Sequence, residues 1–263
     1  MVRKKGLTVS ISTWFCLPDQ GMKDMEILCR ATAFAVSSSS AVHANKMHFV
    51  TASHSIAPWK FRNLYPEEWL QAIDEKNTFY TIESRHKDGS FLSQSELLMK
   101  TFHHKESDLA VLHLEKDHEM LFDTLEVEPH VLTDRELVEG DDLLIDGFEI
   151  DENSPKPDYD DKEEVDVRRP VPTSVPATFI AQYMFLKYAS ANQPLGSCMS
   201  GAPVTCKTKS EAVIVKGRFA SASGGSPRKT EVCGMIGTVV PEDSDDVALR
   251  GLAAFVGADT IQQ

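Results

Sequence analysis

The stretch "QPLGSCMSGAPV", residues 193–204, sets two candidate nucleophiles, Cys198 and Ser200, in a run of small residues. A serine that attacks a carbonyl stands on a sharp turn with its Oγ exposed. It also needs small neighbours and backbone N–H groups aimed at the developing oxyanion. Ser200-Gly201-Ala202-Pro203 meets the steric requirement. The same pattern also builds an ordinary turn between two strands, so the reading depends on whether the chain supplies a base, an orienting acid and a matching scaffold.

Two other segments bear on that question. In "HFVTASHSI", residues 48–56, an apolar run ends in small residues and then His54. Small residues there let the backbone pack behind an imidazole held at a strand end. In "ESDLAVLHLE", residues 106–115, Asp108 stands immediately before an apolar strand. A carboxylate so placed can accept a bond from an imidazole Nδ1–H, fixing its tautomer and stabilising the imidazolium. Taken alone, each has a bland reading: His54 caps a strand, and Asp108 satisfies the N–H groups that begin one.

The scaffold reads as all-β. Short runs rich in β-branched and aromatic residues, among them "LTVSISTWF", "CRATAFAVS", "DLAVLHLE", "DDLLIDGFE", "ATFIAQYMFLKYA", "EAVIVKGRF" and "EVCGMIGTVV", are bounded by turn residues. Only "PEEWLQAID", with Pro66 at a first-turn position, reads as a helix. About a dozen short strands without long helices point to a sandwich or barrels. The segments "SSSSAV" (37–42) and "SASGGSPRKT" (221–230) read as a hairpin tip and a loop.

The chain has 263 residues, 41% hydrophobic and 25% charged, with a formal net charge of −13. That charge argues against nucleic acid or an anionic membrane as the main partner. Eight acids and two lysines between 151 and 166 mark an acidic loop. No apolar run reaches the roughly 18 residues of a membrane span. No phosphate-binding loop and no zinc spacing occur, so neither cofactor nor metal is expected. Five cysteines without a CxxC spacing fit a reducing compartment, cytoplasmic or mitochondrial, better than secretion. The basic opening "MVRKKGLTVSISTWF" is read as a first strand in preference to a targeting segment.

Together, the order His54, Asp108, Ser200, each at the edge of an apolar β segment, resembles the chymotrypsin-fold serine proteases, and most closely the HtrA-like, trypsin-like peptidases. "TASH", "DLAVL" and "CMSGAPV" match that family's contexts for the histidine, aspartate and serine. "LVEGDDLLIDGF" resembles the strand that opens its second barrel, and "EVCGMIGTVV" with "RGLAAFVGADTI" resembles its closing strands. The likeness spans about residues 25–260. It implies two antiparallel β-barrels with a site in the cleft between them. Residues 1–24 form an extension or first strand, 25–135 the barrel carrying His54 and Asp108, and 136–263 the barrel carrying Ser200. No PDZ-like segment is expected after Ile261.

The resemblance implies a serine endopeptidase acting on a polypeptide through a Ser200-His54-Asp108 triad without a cofactor. Its oxyanion donors are the N–H groups of Cys198 and Ser200, and Cys198 stands where active relatives carry glycine. Taking Cys198 as the nucleophile would move Pro203 out of register, which favours Ser200. Met199 replaces the aspartate that pairs with a newly cleaved N-terminus in secreted trypsins, so no activating cleavage is expected. Pro194, Ile236, Gly237, Thr238, Ala254 and Phe255 surround the implied substrate pocket. They include no acid, which favours a small or medium apolar side chain over Arg or Lys. Two other readings remain open: a catalytically impaired binding or structural subunit, which Cys198 and the acidic loop would suit, and a cysteine-nucleophile peptidase.

Overall fold

The computed structural model describes residues 8–37, 47–86, 88–96, 99–114, 123–133, 135–151, 169–206 and 231–262. The chain is all-β, with two antiparallel sheets and only short helices. The first sheet holds β1 (Thr8–Phe15), β2 (Glu26–Ser37), β3 (Met47–Thr51), β4 (Thr78–Arg85), β5 (Phe91–Glu96), β6 (Met99–His103) and β7 (Ala110–Leu114). Its order is β5-β4-β1-β2-β3-β7-β6. The two end strands, β5 and β6, are consecutive in the chain, separated by residues 97 and 98.

The second sheet holds β8 (Val131–Leu132), β9 (Asp142–Ile150), β10 (Pro170–Tyr183), β11 (Leu186–Ala191), β12 (Pro203–Cys206), β13 (Glu231–Val239) and β14 (Ala253–Gly257). A pairing between β12 and β13 closes six of these strands into a barrel, and β8 adds in parallel on β13. Closure gives each of those six strands a partner on both sides over part of its length. One-turn helices α1 (Ser53–Ile56) and α2 (Ala258–Ile261) follow β3 and β14.

Strand alternation places the two halves against each other. Along β2, Ala31, Ala33 and Ala35 enter the core of the first sheet with Val9, Ile11, Phe49 and Leu112. The intervening Phe34 and Val36 point the other way and pack with Val50, Ala52 and Leu109 against Val232 and Met235 of the second sheet. One strand therefore lines both the core of the first sheet and the seam between the halves. The second core gathers Ile145, Val175, Met199, Val204 and Phe255.

Three sequence expectations meet corrections or limits. "PEEWLQAID" forms a 3-10 turn over Glu68–Ala72 instead of an α-helix. Its leading residue makes no side-chain cap bond and only Leu70 is buried, so little stabilises a longer helix. "ATFIAQYMFLKYA" is not one strand but a hairpin, β10 to β11, which reverses at Met184 and Phe185 with Tyr183 opposite Leu186. Met184 takes φ 54°, and Tyr183, Met184 and Phe185 are each more than three-fifths exposed. The loop 221–230, the strand "EAVIVKGRF" and nearly all of the acidic stretch lie outside the described residues. Among the described residues no helix is long and apolar enough to cross a membrane.

Phe34, fully buried in the seam, tests how far the two halves depend on each other. Phe34→Ala is expected to lower stability by about 3–5 kcal/mol. Val247→Ala, at a position 68% exposed, should stay within about 0.5 kcal/mol of the wild type. Urea unfolding midpoints measure both.

Candidate active site

β3, paired between β2 and β7, delivers the chain through Ala52 into α1, whose four residues are all buried. A single turn has no independent helical stability, so its orientation is set by tertiary bonds. Thr13 Oγ1 donates to Ser55 O at 2.8 Å, and Tyr80 OH donates to Ile56 O at 3.3 Å. Both oxygens of Asp108 are occupied by one residue. The His54 backbone N–H donates to Oδ1 at 2.8 Å, and His54 Nδ1 lies 2.5 Å from Oδ2. With the carboxylate ionised, the Nδ1 proton is committed to it, which leaves the Nε2 lone pair as the basic position.

Asp108 sits in the connection between β6 and β7. That loop is pinned by His104 N–H to Leu109 O and Leu109 N–H to Ser107 O, both 2.8 Å, with Leu109 anchored in the seam. The imidazole is almost wholly covered, while the carboxylate keeps a quarter of its side chain exposed. Phe61 and Tyr65 pack on the imidazole with ring centroids 6.1 Å away. Burial, followed by the neighbouring Cys29 thiol, pushes the Tyr65 hydroxyl far above its ordinary titration range. It is therefore a neutral phenol at any physiological pH.

Ser200 follows a 3-10 turn over Ser197–Met199. Met199 N–H donates to Gly196 O at 3.0 Å and Ala202 N–H to Met199 O at 2.9 Å, closing the chain on both sides of the serine. Cys198 does not enter the left-handed region; the residue that does is Gly201, at φ 83°. A Cβ on Gly201 would also lie 2.1 Å from Thr32 O and 2.5 Å from Thr51 Oγ1. Only glycine suits that position. The Met199 side chain plugs into the second core, and Gly147 leaves it room, since a Cβ there would come 2.7 Å from its Sδ.

Thr32, which carried no signal in the sequence, holds this loop across the seam. Its N–H donates to Ser200 O at 2.9 Å. Its Oγ1 donates to Cys198 O at 2.8 Å and accepts the Phe148 N–H at 3.0 Å. Its own carbonyl accepts Thr51 Oγ1 at 2.7 Å. Four hydrogen bonds on one fully buried residue thus connect the strand before His54, the loop of Ser200 and strand β9.

His54, Cys198 and Ser200 line one cleft of about 670 Å³. Ile236 and Thr238 also line it, joined by Leu195, Gly196 and Val239. Gly237 lies between the first two, where the pairing of β13 with β14 slips by one residue. Pro194, Ala254 and Phe255 do not line the cleft: Pro194 is exposed, Ala254 is buried, and Phe255 packs on Phe179 at 6.4 Å between centroids. Among the described residues no hydrogen bond joins Ser200 Oγ to the imidazole. Cys29 also lines the cleft, and burial raises its thiol above the usual range, so it stays protonated and weakly nucleophilic. All five cysteines are free thiols. Among the described residues no group of three or more His, Cys, Asp or Glu could hold a metal ion.

No protein-family model and no curated protein matches the chain. Among solved structures it is similar to the Rv3671c protease of M. tuberculosis in its active form. The identity is 12% over 98% of this chain and 78% of that one, with a TM-score of 0.47. It is also similar to an inactivated protease paralogue of the scabies mite, at 12% identity over 97% of this chain and 90% of that one, TM-score 0.48. These neighbours have chymotrypsin-like folds.

Thr32→Val keeps the side-chain shape but removes one bond from the Cys198 carbonyl and strands the Phe148 N–H. Each buried group left without a partner costs about 1–3 kcal/mol. The expected result is a loss of about 1–3 kcal/mol in urea unfolding, with the amide protons of residues 146–149 exchanging faster.

Proposed function

We propose that this protein is a serine endopeptidase in which Ser200 is the nucleophile, His54 the general base and then acid, and Asp108 the group that orients His54. The supporting observation is His54 held by both oxygens of one carboxylate, Oδ1 on its backbone N–H and Oδ2 at imidazole Nδ1, on a cleft whose wall also carries Ser200 at the end of a tight turn.

Catalysis in this reading begins with a polypeptide in the cleft. Ser200 Oγ attacks the scissile carbonyl while His54 Nε2 takes its proton, and Asp108 stabilises the resulting imidazolium. The carbonyl oxygen becomes an oxyanion facing the N–H groups of Cys198 and Ser200. His54 then protonates the leaving amine, and water, deprotonated by the same nitrogen, releases the acyl group from Ser200. Every group needed is a side chain or a peptide dipole of this chain. In this reading the serine and imidazole come within bonding reach when substrate binds, since such bonds are commonly longer or misaligned in unliganded sites.

The proposed specificity surface is Ile236, Gly237 and Thr238, extended by Leu195 and Val239. It carries no acid, so a small or medium apolar side chain fits it better than Arg or Lys.

A fluorophosphonate probe is expected to label the wild type and not Ser200→Ala. Asp108→Asn should preserve the fold while lowering kcat by about 10⁴-fold, because the imidazole loses the tautomer that leaves Nε2 unprotonated. Folded wild-type protein that resists labelling and cleaves no peptide would overturn the assignment and leave a protease-fold binding subunit in its place.

A further inference from the structure

The turn that carries His54 is gripped at two successive residues by one hairpin. Asp108 holds His54 through the backbone N–H and Nδ1. From the other end of the same connection, His103 Nδ1 is hydrogen-bonded to the hydroxyl of Ser53. His103 ends β6 directly opposite Ala110 of β7. The loop between them is tied by His104 N–H to Leu109 O at 2.8 Å, so His103 and Asp108 belong to one braced unit.

Ser53 is buried and begins a turn that has no side-chain cap at its N-terminus. Thr13 and Tyr80 hold the later residues of that turn, Ser55 and Ile56; the bond between Ser53 and His103 fixes its first residue, next to His54.

We propose that His103 and Ser53 form a positioning pair that fixes the His54 imidazole against Asp108. This rests on the endopeptidase reading only for its kinetic consequence. The charges around His103 suit the role. Lys60 approaches from the 3-10 turn over Pro58–Lys60 and is itself paired with Glu75 at 2.7 Å, and Asp108 lies on the loop side. Burial first, then Lys60, lower the His103 pKa below its ordinary value, against smaller opposing pulls from Glu75 and Asp108. His103 therefore stays neutral at neutral pH and does not compete with the His54 imidazolium for the carboxylate.

The test compares Ser53→Ala, His103→Leu and the double variant with the wild type, and includes His103→Asn, whose amide can donate or accept in the place of Nδ1. The deshielded His54 Nδ1 proton shared with Asp108, read by one-dimensional proton NMR, is expected to broaden or vanish in Ser53→Ala and His103→Leu and to return in His103→Asn. On a peptide substrate, kcat is expected to fall about 10–10²-fold with KM within about twofold, since a small misplacement of a catalytic group has effects of that size. The double variant should be no worse than either single one, because all three lose the same bond. A Ser53→Ala protein with an unchanged Nδ1 proton signal overturns the proposal. Because the NMR signal needs no turnover, a chain that cleaves nothing would sink the endopeptidase reading while this arm still decides the positioning pair.

Discussion

Thr32 is the constraint around which the molecule is arranged. Its hydroxyl lies between two backbones that belong to different parts of the second half, Cys198 and Phe148, while its amide and carbonyl face Ser200 and Thr51. A hydroxyl is suited to this because it donates one bond and accepts others at the same point. The surroundings are dry, so each bond is strong and each missing one is costly. The neighbours of Thr32 along the strand do the remaining work by alternation, with alanines filling one core and Phe34 and Val36 sealing the other side. The geometry of the cleft thus depends on a strand that contributes no reacting atom.

This arrangement also explains why the two halves act as one. The serine loop is bonded to β2 of the first sheet, and its methionine is buried in the second core. Neither half alone satisfies the loop. His54 and Asp108, by contrast, are fully defined within the first sheet, through bonds between α1 and the β6–β7 connection. One part of the site is local to a half, and the other exists only where the halves meet.

How much of this could be read from the sequence follows from that division. His54, Asp108 and Ser200 each stand at the border of an apolar run, where the local pattern changes, and borders are visible in a one-dimensional string. Thr32 sits inside an alternating strand and looks like any polar residue there; its partner Cys198 is 166 positions away. Ser53 and His103 are likewise ordinary until the fold brings them together. Strand β10 escaped notice over its first seven residues because Pro170, Pro172 and Pro176 break the expected pattern. Over that stretch β10 pairs only with β9, and β11 joins from Ala177 onward. Prolines of like parity can therefore turn their missing donors to an open edge. The hairpin reversal at Met184 was hidden for the opposite reason: its turn is made of apolar residues instead of the usual Gly or Asn.

That apolar reversal has a bearing on how the protein behaves in bulk. A left-handed methionine costs about 1–3 kcal/mol of backbone strain, yet the tip it forms presents Tyr183, Met184 and Phe185 to solvent. Against this adhesive point stands a formal charge of −13, whose mutual repulsion keeps copies apart in dilute buffer. Salt shortens the reach of that repulsion to roughly 3 Å at 1 M. The reversal therefore joins an exposed apolar tip to a chain whose charge repulsion between copies weakens as ionic strength rises.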